Sequence, residues 1–495
     1  MKFFSDWLLL SIAALSLQPA ADAASLSSYS KPWRPQFHFT PASGWMNDPN
    51  GLCFFQGSYH LFYQHSGEGL PNGGASWGHA VSKDLVHWEH CPPAITLDEK
   101  GAIWSGSAVV DRSDTSGFFG GKPGLVCIYT YMNPAEGDRQ SQAIAYSADG
   151  KTFTKYQKNP VLPQLRYQPG QPDDESFRDP KVFWHAPTKR WVMVVAGGTV
   201  RIYSSPNLRD WTLESINKDI NTECPDLFEL PVEGVAKESR WVLSGGGRWY
   251  LLGSFDGHKF VPEGKKQPFN YGHDFYASQT WNDLSDDRRI MTTWLYNWDY
   301  NNWPTEPFSG GCMTLPYELK LRVVKDGLRI FSTPAKEVQV LRGELQSWVD
   351  KTITPGSNLL AGVCGKTLEI EAEFEVTPGA ASFAFKVPRG GSNQTVIGYR
   401  FAEKKMFVTR SGRSDIKNFD RTDEEPLPPQ NGCVKLHIFL DSSSVEVFGN
   451  DGAAVITDDI LPDPLCDGIE LFAEGGSVRL IALKAWPLQS IWHQP

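Results

Sequence analysis

One strand–turn–strand pattern, written four times between residues 79 and 260, limits the possible folds more than any other feature. It reads His79-Ala-Val-Ser-Lys-Asp-Leu-Val-His-Trp88, then Ile144-Ala-Tyr-Ser-Ala-Asp-Gly-Lys-Thr-Phe153, then Ile202-Tyr-Ser-Ser-Pro-Asn-Leu-Arg-Asp-Trp211. A looser copy is Leu252-Gly-Ser-Phe-Asp-Gly-His-Lys-Phe260. Each has a strand-like start, a polar turn and an aromatic finish, so each reads as a hairpin whose last ring packs on a neighbour. The copies begin 65, 58 and 50 residues apart, which is room for one four-stranded sheet per copy. Further strands are expected at Tyr59–Tyr63, Gly124–Tyr129, Trp191–Ala196, Trp241–Ser244 and Arg289–Tyr296. An all-β fold follows, with a five-bladed β-propeller as the economical architecture. A pair of β-sandwiches with similar hairpins is the alternative for such uneven spacing.

The character of the chain changes at residues 333–345, where Pro334 leads a helix-compatible run that reads as a short linker. Beyond it, Thr367–Val376, Ser382–Val387, Thr395–Phe401, Lys435–Phe439, Ser444–Phe448 and Ser477–Trp486 alternate apolar and polar residues, as half-buried antiparallel strands do. The expected organisation is a propeller over 24–332, a linker over 333–345 and a C-terminal β-sandwich over 346–495. No motif with evident chemistry lies in the sandwich, which is expected to serve stability or assembly.

Residues 1–23 read as a signal peptide: Lys2, an apolar run of 11 residues from Trp7 to Leu17, and a small-residue cleavage site at Ala21-Asp22-Ala23. The run is too short for a bilayer, which takes about 20 residues. A secreted, extracellular protein with no membrane span is expected. The formal net charge of −10 and the lack of a basic stripe argue against nucleic acid as a partner. The eight cysteines form no zinc-type spacing, and sequence alone does not choose a disulfide pairing among them. Asn393-Gln394-Thr395 is a glycosylation sequon and marks an exposed loop if used. Assembly into homo-oligomers stays open.

Three acids stand close before a proline at a strand start. In Trp45-Met-Asn-Asp-Pro-Asn-Gly51, Pro49 fixes its own φ and biases Asp48 toward extended backbone, giving the carboxylate the defined direction a nucleophile needs. An Asx turn opening a strand is the structural alternative. Ser176-Phe-Arg-Asp-Pro-Lys-Val-Phe183 repeats the logic at Asp179, with Arg178 beside it. Glu223-Cys-Pro-Asp-Leu-Phe-Glu-Leu230 supplies the third acid. At this spacing the three carboxylates are expected to converge near a propeller axis. Trp45, Trp77, Trp104, Tyr276, Trp294 and Trp298 neighbour polar residues, the pairing of ring walls and hydrogen-bonding groups that sugar sites use.

With these motifs the chain resembles glycoside hydrolase family 32, the invertase, inulinase and levanase group. The resemblance rests on WMNDPNG at 45–51, FRDP at 177–180 and ECPDLFEL at 223–230. YHLFYQ at 59–64, SWGHAVSKDLVHW at 76–88, WSGSAV at 104–109, DFYA at 274–277 and SSSVEVFG at 442–449 support it. It covers nearly the whole chain past the leader. It implies a retaining β-fructofuranosidase with Asp48 as nucleophile, Glu223 as acid/base and Asp179 supporting the transition state beside Arg178. Asn47, Gln64, Trp104, Ser105 and Tyr276 would line the fructose pocket, and Trp294 or Trp298 would form a wall. No metal or organic cofactor is implied.

The substrate implied is sucrose or a fructan. The invertase type is the leading expectation, with exo-inulinase, levanase and fructosyltransferase as alternatives within the family and a non-catalytic sugar-binding propeller outside it. The nearness of like charges is expected to raise the pKa of Glu223. One departure from the family pattern is Asn72, which stands where a tryptophan is usual and removes an aromatic wall.

Overall fold

The computed structural model describes residues 29–67, 75–137, 139–164, 176–300, 308–309, 311–376, 379–389 and 393–492. The expected leader and Asn72 lie outside these residues. Five antiparallel sheets follow one another along the chain. The first holds Gly44–Phe55, Ser58–Ser66, Ser76–Ser82 and Trp88–Ile95. The second holds Ala102–Asp111, Gly124–Asn133, Arg139–Ser147 and Thr154–Lys155, and the third Arg178–His185, Arg190–Ala196, Val200–Ser205 and Thr212–Asn217. The fourth runs Asp226–Pro231, Ser239–Gly245, Trp249–Phe255 and Phe260–Pro268. The fifth runs Tyr276–Thr280, Arg289–Leu295, Tyr317–Val324 and Gly327–Pro334, with Cys312–Met313 added to its second strand.

The four sequence repeats are the outer hairpins of the first four sheets, and their turns share one physical device. An Asx oxygen accepts the N–H groups two and three residues on: Asp84 from Val86 and His87, Asp149 from Lys151 and Thr152, Asn207 from Arg209 and Asp210, Asp256 from His258 and Lys259. The residue after the Asx is left-handed each time: Leu85, Gly150, Leu208 and Gly257. Leu85 and Leu208 are buried, so side-chain packing holds a backbone that glycine adopts freely elsewhere. The fifth sheet turns instead at Lys325-Asp326-Gly327 without the aromatic finish, which hides it from a repeat search.

The opening strands of the five sheets bond to one another in a closed circuit. Gly106 N–H donates to Asn50 Oδ1 at 3.1 Å, and Ser107 Oγ to the Pro180 carbonyl at 2.8 Å. Lys181 Nζ pairs with Asp226 at 3.2 Å, and Thr280 N–H donates to Asp226 at 2.8 Å. Asn282 and Leu52 close the circle at 2.9 Å. The segment Phe308–Ser309 also pairs in parallel with Gly44–Phe55, tying the chain of the fifth sheet to the first.

After the 3-10 turn Lys336–Leu341, which falls in the expected linker, come two further sheets. One has six strands, Gln346–Ile353, Val478–Pro487, Leu368–Glu375, Cys433–Leu440, Ser444–Gly449 and Ala454–Asp459. The other has five, Arg421–Pro426, Lys405–Ser411, Gln394–Arg400, Ser382–Arg389 and Gly468–Glu474. They share one apolar core, in which Phe374 and Phe383 stack at 3.7 Å. All eight cysteines are unpaired. No helix among the described residues is long and apolar enough to cross a membrane.

The two halves meet over an apolar cluster that joins Phe228 and Tyr317 to Phe439, Phe448 and Val455. Within it, His38 is wholly buried between Asp441 and Glu446, 2.7 Å from each. Burial would depress its pKa, but hydrogen bonds and charge from both acids prevail and raise it from 6.5 to about 9. A histidine with a raised folded pKa lends stability that is complete below the unfolded value and lost as pH climbs through the folded one. The His38→Gln protein is therefore expected to lose about 3 kcal/mol near pH 6 and to show a much smaller deficit at pH 10. Thermal unfolding of both proteins across that range checks it.

Candidate active site

The opening strands of four sheets and the loop ahead of the fourth sheet's opening strand deliver polar side chains to one cavity of about 360 Å³, lined by Asn47, Asp48, Gln64, Trp104, Ser105, Arg178, Asp179, Glu223, Cys224, Tyr276 and Trp298, with Ala75 also lining it. The delivery works through broken pairing. Register shifts fall between Met46 and Pro49, between Trp104 and Gly106, and between Tyr276 and Gln279. Such bulges re-aim side chains at the ends of strands. At Gly106 a Cβ would lie 2.0 Å from the Ile128 carbonyl oxygen, so only glycine lets the second sheet close beneath Ser105. Two non-glycine residues at the cavity, Asp179 and Cys224, have φ of 61° and 44°, and Ala277, next to Tyr276, has 58°. Left-handed backbone there carries strain, of the kind that accumulates at functional sites. Asp179 thus departs from the extended backbone expected ahead of Pro180.

Asp48 accepts from Ser105 Oγ at 2.6 Å, Asn47 Nδ2 at 3.0 Å and Cys224 Sγ at 3.4 Å. Asn47 is itself fixed by Trp45 Nε1 at 2.8 Å. Burial still pushes the Asp48 pKa up, and the Glu223 charge adds to it. Asp179 accepts from Cys224 N–H at 2.9 Å, with Arg178 Nε 3.8 Å away. Burial first and the Asp48 charge second push Asp179 up to about 7 against the pull of Arg178. Two buried acids this close hold a proton between them more readily than either would alone.

Glu223 behaves differently from expectation. Burial raises its pKa, but hydrogen bonds from Tyr276 OH and the Arg178 guanidinium outweigh that and bring it below the usual carboxylate value. Like-charge repulsion therefore does not govern this acid in the open site. Its backbone carbonyl also accepts from Gly246 N–H at 2.8 Å and Thr222 Oγ1 at 2.8 Å, which fixes the loop ahead of Asp226–Pro231.

The cavity gathers all of the expected site residues except Trp294. That ring is wholly buried, because its strand lies second in the fifth sheet, opposite Tyr276 and away from the circuit. It packs at 4.9 Å against Trp298, which lines the cavity. Trp77, also expected among the sugar-facing rings, is core as well. Trp45 stacks on Trp298 at 5.9 Å from behind. Asn393 is half-buried rather than on an exposed loop, and its Nδ2, the atom a glycan would take, donates to the Leu461 carbonyl at 2.8 Å.

Cys224 is the residue that motif reading missed. Its place directly after Glu223 was the available signal, but a cysteine was read for disulfide or zinc chemistry. One oxygen each of Asp48 and Asp179 lies with the Cys224 sulfur within 4.8 Å of one another, and Glu369, Glu371 and His437 form a second such group. The second group is bound up with Arg342, which bonds both glutamates, so a cation already balances it.

A family model described as the glycosyl hydrolases family 32 N-terminal domain matches residues 38–334, and the corresponding C-terminal model matches residues 337–487. A levanase of Bacillus subtilis (strain 168) is 48% identical over 509 residues, covering 97% of this chain and 74% of that protein. An extracellular exo-inulinase of Aspergillus niger is 36% identical over 539 residues, 97% of this chain and 99% of that protein. The crystal structure of an exo-inulinase from Aspergillus awamori superposes with a TM-score of 0.85 at 33% identity, covering 94% of this chain and 100% of that one.

Proposed function

The chain belongs to glycosyl hydrolases family 32, and from that premise we propose that it removes β-fructofuranosyl units, one at a time and with retention, from the non-reducing ends of fructans and of sucrose. As a member of the family it is a glycoside hydrolase of the fructan and sucrose class. The observation that carries the finer reading is the one cavity to which five sheets bring three acids, one guanidinium and the three aromatic rings of Trp104, Tyr276 and Trp298. Its volume lies near the lower end of the range for small-molecule pockets, about 300–1,000 Å³, which suits a terminal sugar rather than the middle of a polymer. The names of the relatives, levanase and exo-inulinase, favour fructans over sucrose as the main substrate.

The closed circuit of opening strands supports reading the five sheets as a five-bladed β-propeller over 24–332, and the shared core of the last two supports a β-sandwich over 346–495. The proposed linker over 333–345 straddles the junction of the two family models, which lies at 335–336. Secretion fits the leader at 1–23 and the extracellular relative.

In the reaction Asp48 attacks C2 of the fructosyl unit while Glu223 gives its proton to the departing oxygen. A fructosyl–Asp48 ester forms and the glycosidic bond breaks. Glu223, now a carboxylate, takes a proton from water, which attacks C2 and frees fructose and Asp48. Ser105 and Asn47 orient the nucleophile, and Asp179 with Arg178 holds the ring hydroxyls. The nucleophile must be ionised although burial raises its pKa, and the acid must be protonated although its donors lower its pKa. The free enzyme is therefore expected to have a narrow bell-shaped kcat/KM profile in the acid range. Tyr276→Phe removes a donor that favours the Glu223 carboxylate, so its pKa rises and the alkaline limb moves to higher pH. A pH–kcat/KM series on both proteins checks this.

The test of function is a product profile on sucrose, inulin and levan at low and high sucrose. Fructose from all three is the expected result. Fructose from inulin or levan alone would remove sucrose from the substrates. Kestose-type products dominating at high sucrose would make the protein a transferase.

A further inference from the structure

The five opening strands have a second end, and it too holds a cavity. Arg178 and Asp179 begin Arg178–His185 at the catalytic cavity, and Phe183 and Trp184 near its other end line a separate cavity of about 280 Å³. At about 3.3 Å per residue the two lie roughly 17 Å apart along the strand. Residues of the second, third, fourth and fifth sheets line this cavity, among them Trp241, Glu229, Asp283 and Arg289.

Three features make it more than a gap between sheets. Among the described residues only two tryptophans are left in water, Trp298 at 51% and Trp184 at 43%, and each stands at a cavity. A chain that hides its other described indoles wholly or partly does not leave one exposed for stability's sake. Trp184 is also held in place, edge-on to Trp191 at 5.1 Å. Arg289 lies over the Phe228 ring at 5.2 Å, and its one side-chain hydrogen bond among the described residues is a long one, 3.5 Å, to the Trp281 carbonyl. The charges of Asp226 and Glu229 also act on it, and its remaining guanidinium N–H groups have no hydrogen-bond partner among the described residues. Asp283 and Glu229 line the cavity with it, Asp283 accepting from Val110 N–H at 2.8 Å and from Arg112 at 3.3 Å, and Glu229 from Ser239 Oγ.

With Arg112 paired to Asp283 at 3.3 Å, the two carboxylates and two guanidinium groups at this cavity balance, which favours a neutral ligand over an ion. Pairs of hydroxyls suit Arg289 and both carboxylates, since the Arg289 fork donates to two oxygens and each carboxylate accepts an O–H. An indole face beside such groups receives the C–H face of a sugar ring. We propose that this cavity is a second saccharide site, which holds a stretch of fructan chain on the face opposite the catalytic cavity. A polymer held there keeps other chain ends near the acids and raises their effective concentration. A disaccharide gains nothing from it. The inference takes the identity of the polymer from the proposed function and rests on that reading to this extent alone.

Native gel electrophoresis in gels cast with levan, inulin or dextran reads polymer binding as retardation, and fructose release from sucrose tests function separately. Levan or inulin is expected to retard the wild-type protein and dextran to leave it unretarded. Trp184→Ala should lose the retardation, and Trp184→Phe should restore part of it. On long-chain fructan the KM of Trp184→Ala should rise about fivefold, the worth of one ring-stacking contact, with sucrose kcat/KM unchanged as proof of folding. Equal retardation of Trp184→Ala and wild type, equal retardation by dextran, or a parallel loss on sucrose and polymer would overturn the site. A protein that levan retards through Trp184 but that releases no fructose would overturn the proposed function and leave the site standing.

Discussion

Asp48→Ala is expected to lose turnover on every fructosyl donor, by a factor on the order of 10⁶ in kcat, the scale on which a covalent mechanism fails without its nucleophile. Glu223→Ala is expected to fail selectively. With sucrose or fructan the leaving oxygen needs a proton, and the loss should be roughly 10²–10⁴-fold. With β-fructosyl fluoride the leaving group needs little help, so the first step should survive and the fructosyl enzyme accumulate for want of a base. Azide, which attacks without losing a proton, should then restore turnover and give a fructosyl azide of retained configuration. A stopped-flow burst and mass spectrometry of the protein read the intermediate directly. Retained azide product from Asp48→Ala, with Glu223→Ala inert to azide, would exchange the two roles.

Much of this site was legible because the same local chemistry marks it each time. An acid ahead of a proline at a strand start is a sequence pattern, and Asp48 and Glu223 carry it to one cavity with Asp179. The repeats were legible because an Asx turn is built from two or three adjacent residues. What depends on partners distant in sequence was not. Trp294 and Trp298 are four residues apart in similar company, and only the pairing of Arg289–Leu295 against Tyr276–Thr280 decides that the first is core. The pKa of Glu223 is set by Tyr276, 53 residues away, and Arg178, 45 residues away, so counting nearby acids gave the wrong sign. Cys224 needed the fold to reveal that its thiol faces two carboxylates. The closing pair Phe308–Ser309 has no periodicity to read at all.

The region 346–495 was expected to serve stability or assembly, and Arg410 shows how closely that service approaches the chemistry. Its guanidinium, buried at 1% exposure, reaches from Lys405–Ser411 to Asp274 at 2.8 Å, with Asp458 and Asp423 at 3.8 and 3.9 Å. Asp274 also accepts from Asp459 N–H at 2.8 Å and from Asn297 and Tyr300. It stands two residues before Tyr276, and Asn297 and Tyr300 bracket Trp298. Removing a cation from such a nest leaves buried carboxylates uncompensated, at a cost of about 3–5 kcal/mol. Arg410→Met is therefore expected to be destabilised by that amount at neutral pH. Burial already raises Asp458 and Asp459, and loss of the guanidinium raises them further. An acid whose folded pKa lies above its unfolded one binds a proton more readily when folded, so lowering the pH stabilises the fold. The deficit of Arg410→Met should accordingly grow from pH 7 to pH 9. Asp458, raised to about 8 in the wild type, ionises there beside the guanidinium, while the variant's stays protonated. Denaturant unfolding of both proteins at the two pH values measures it. A deficit that stays constant between them would mean that the carboxylates do not feel the guanidinium and that lost packing against Phe419, 4.7 Å from the charge, accounts for the whole effect.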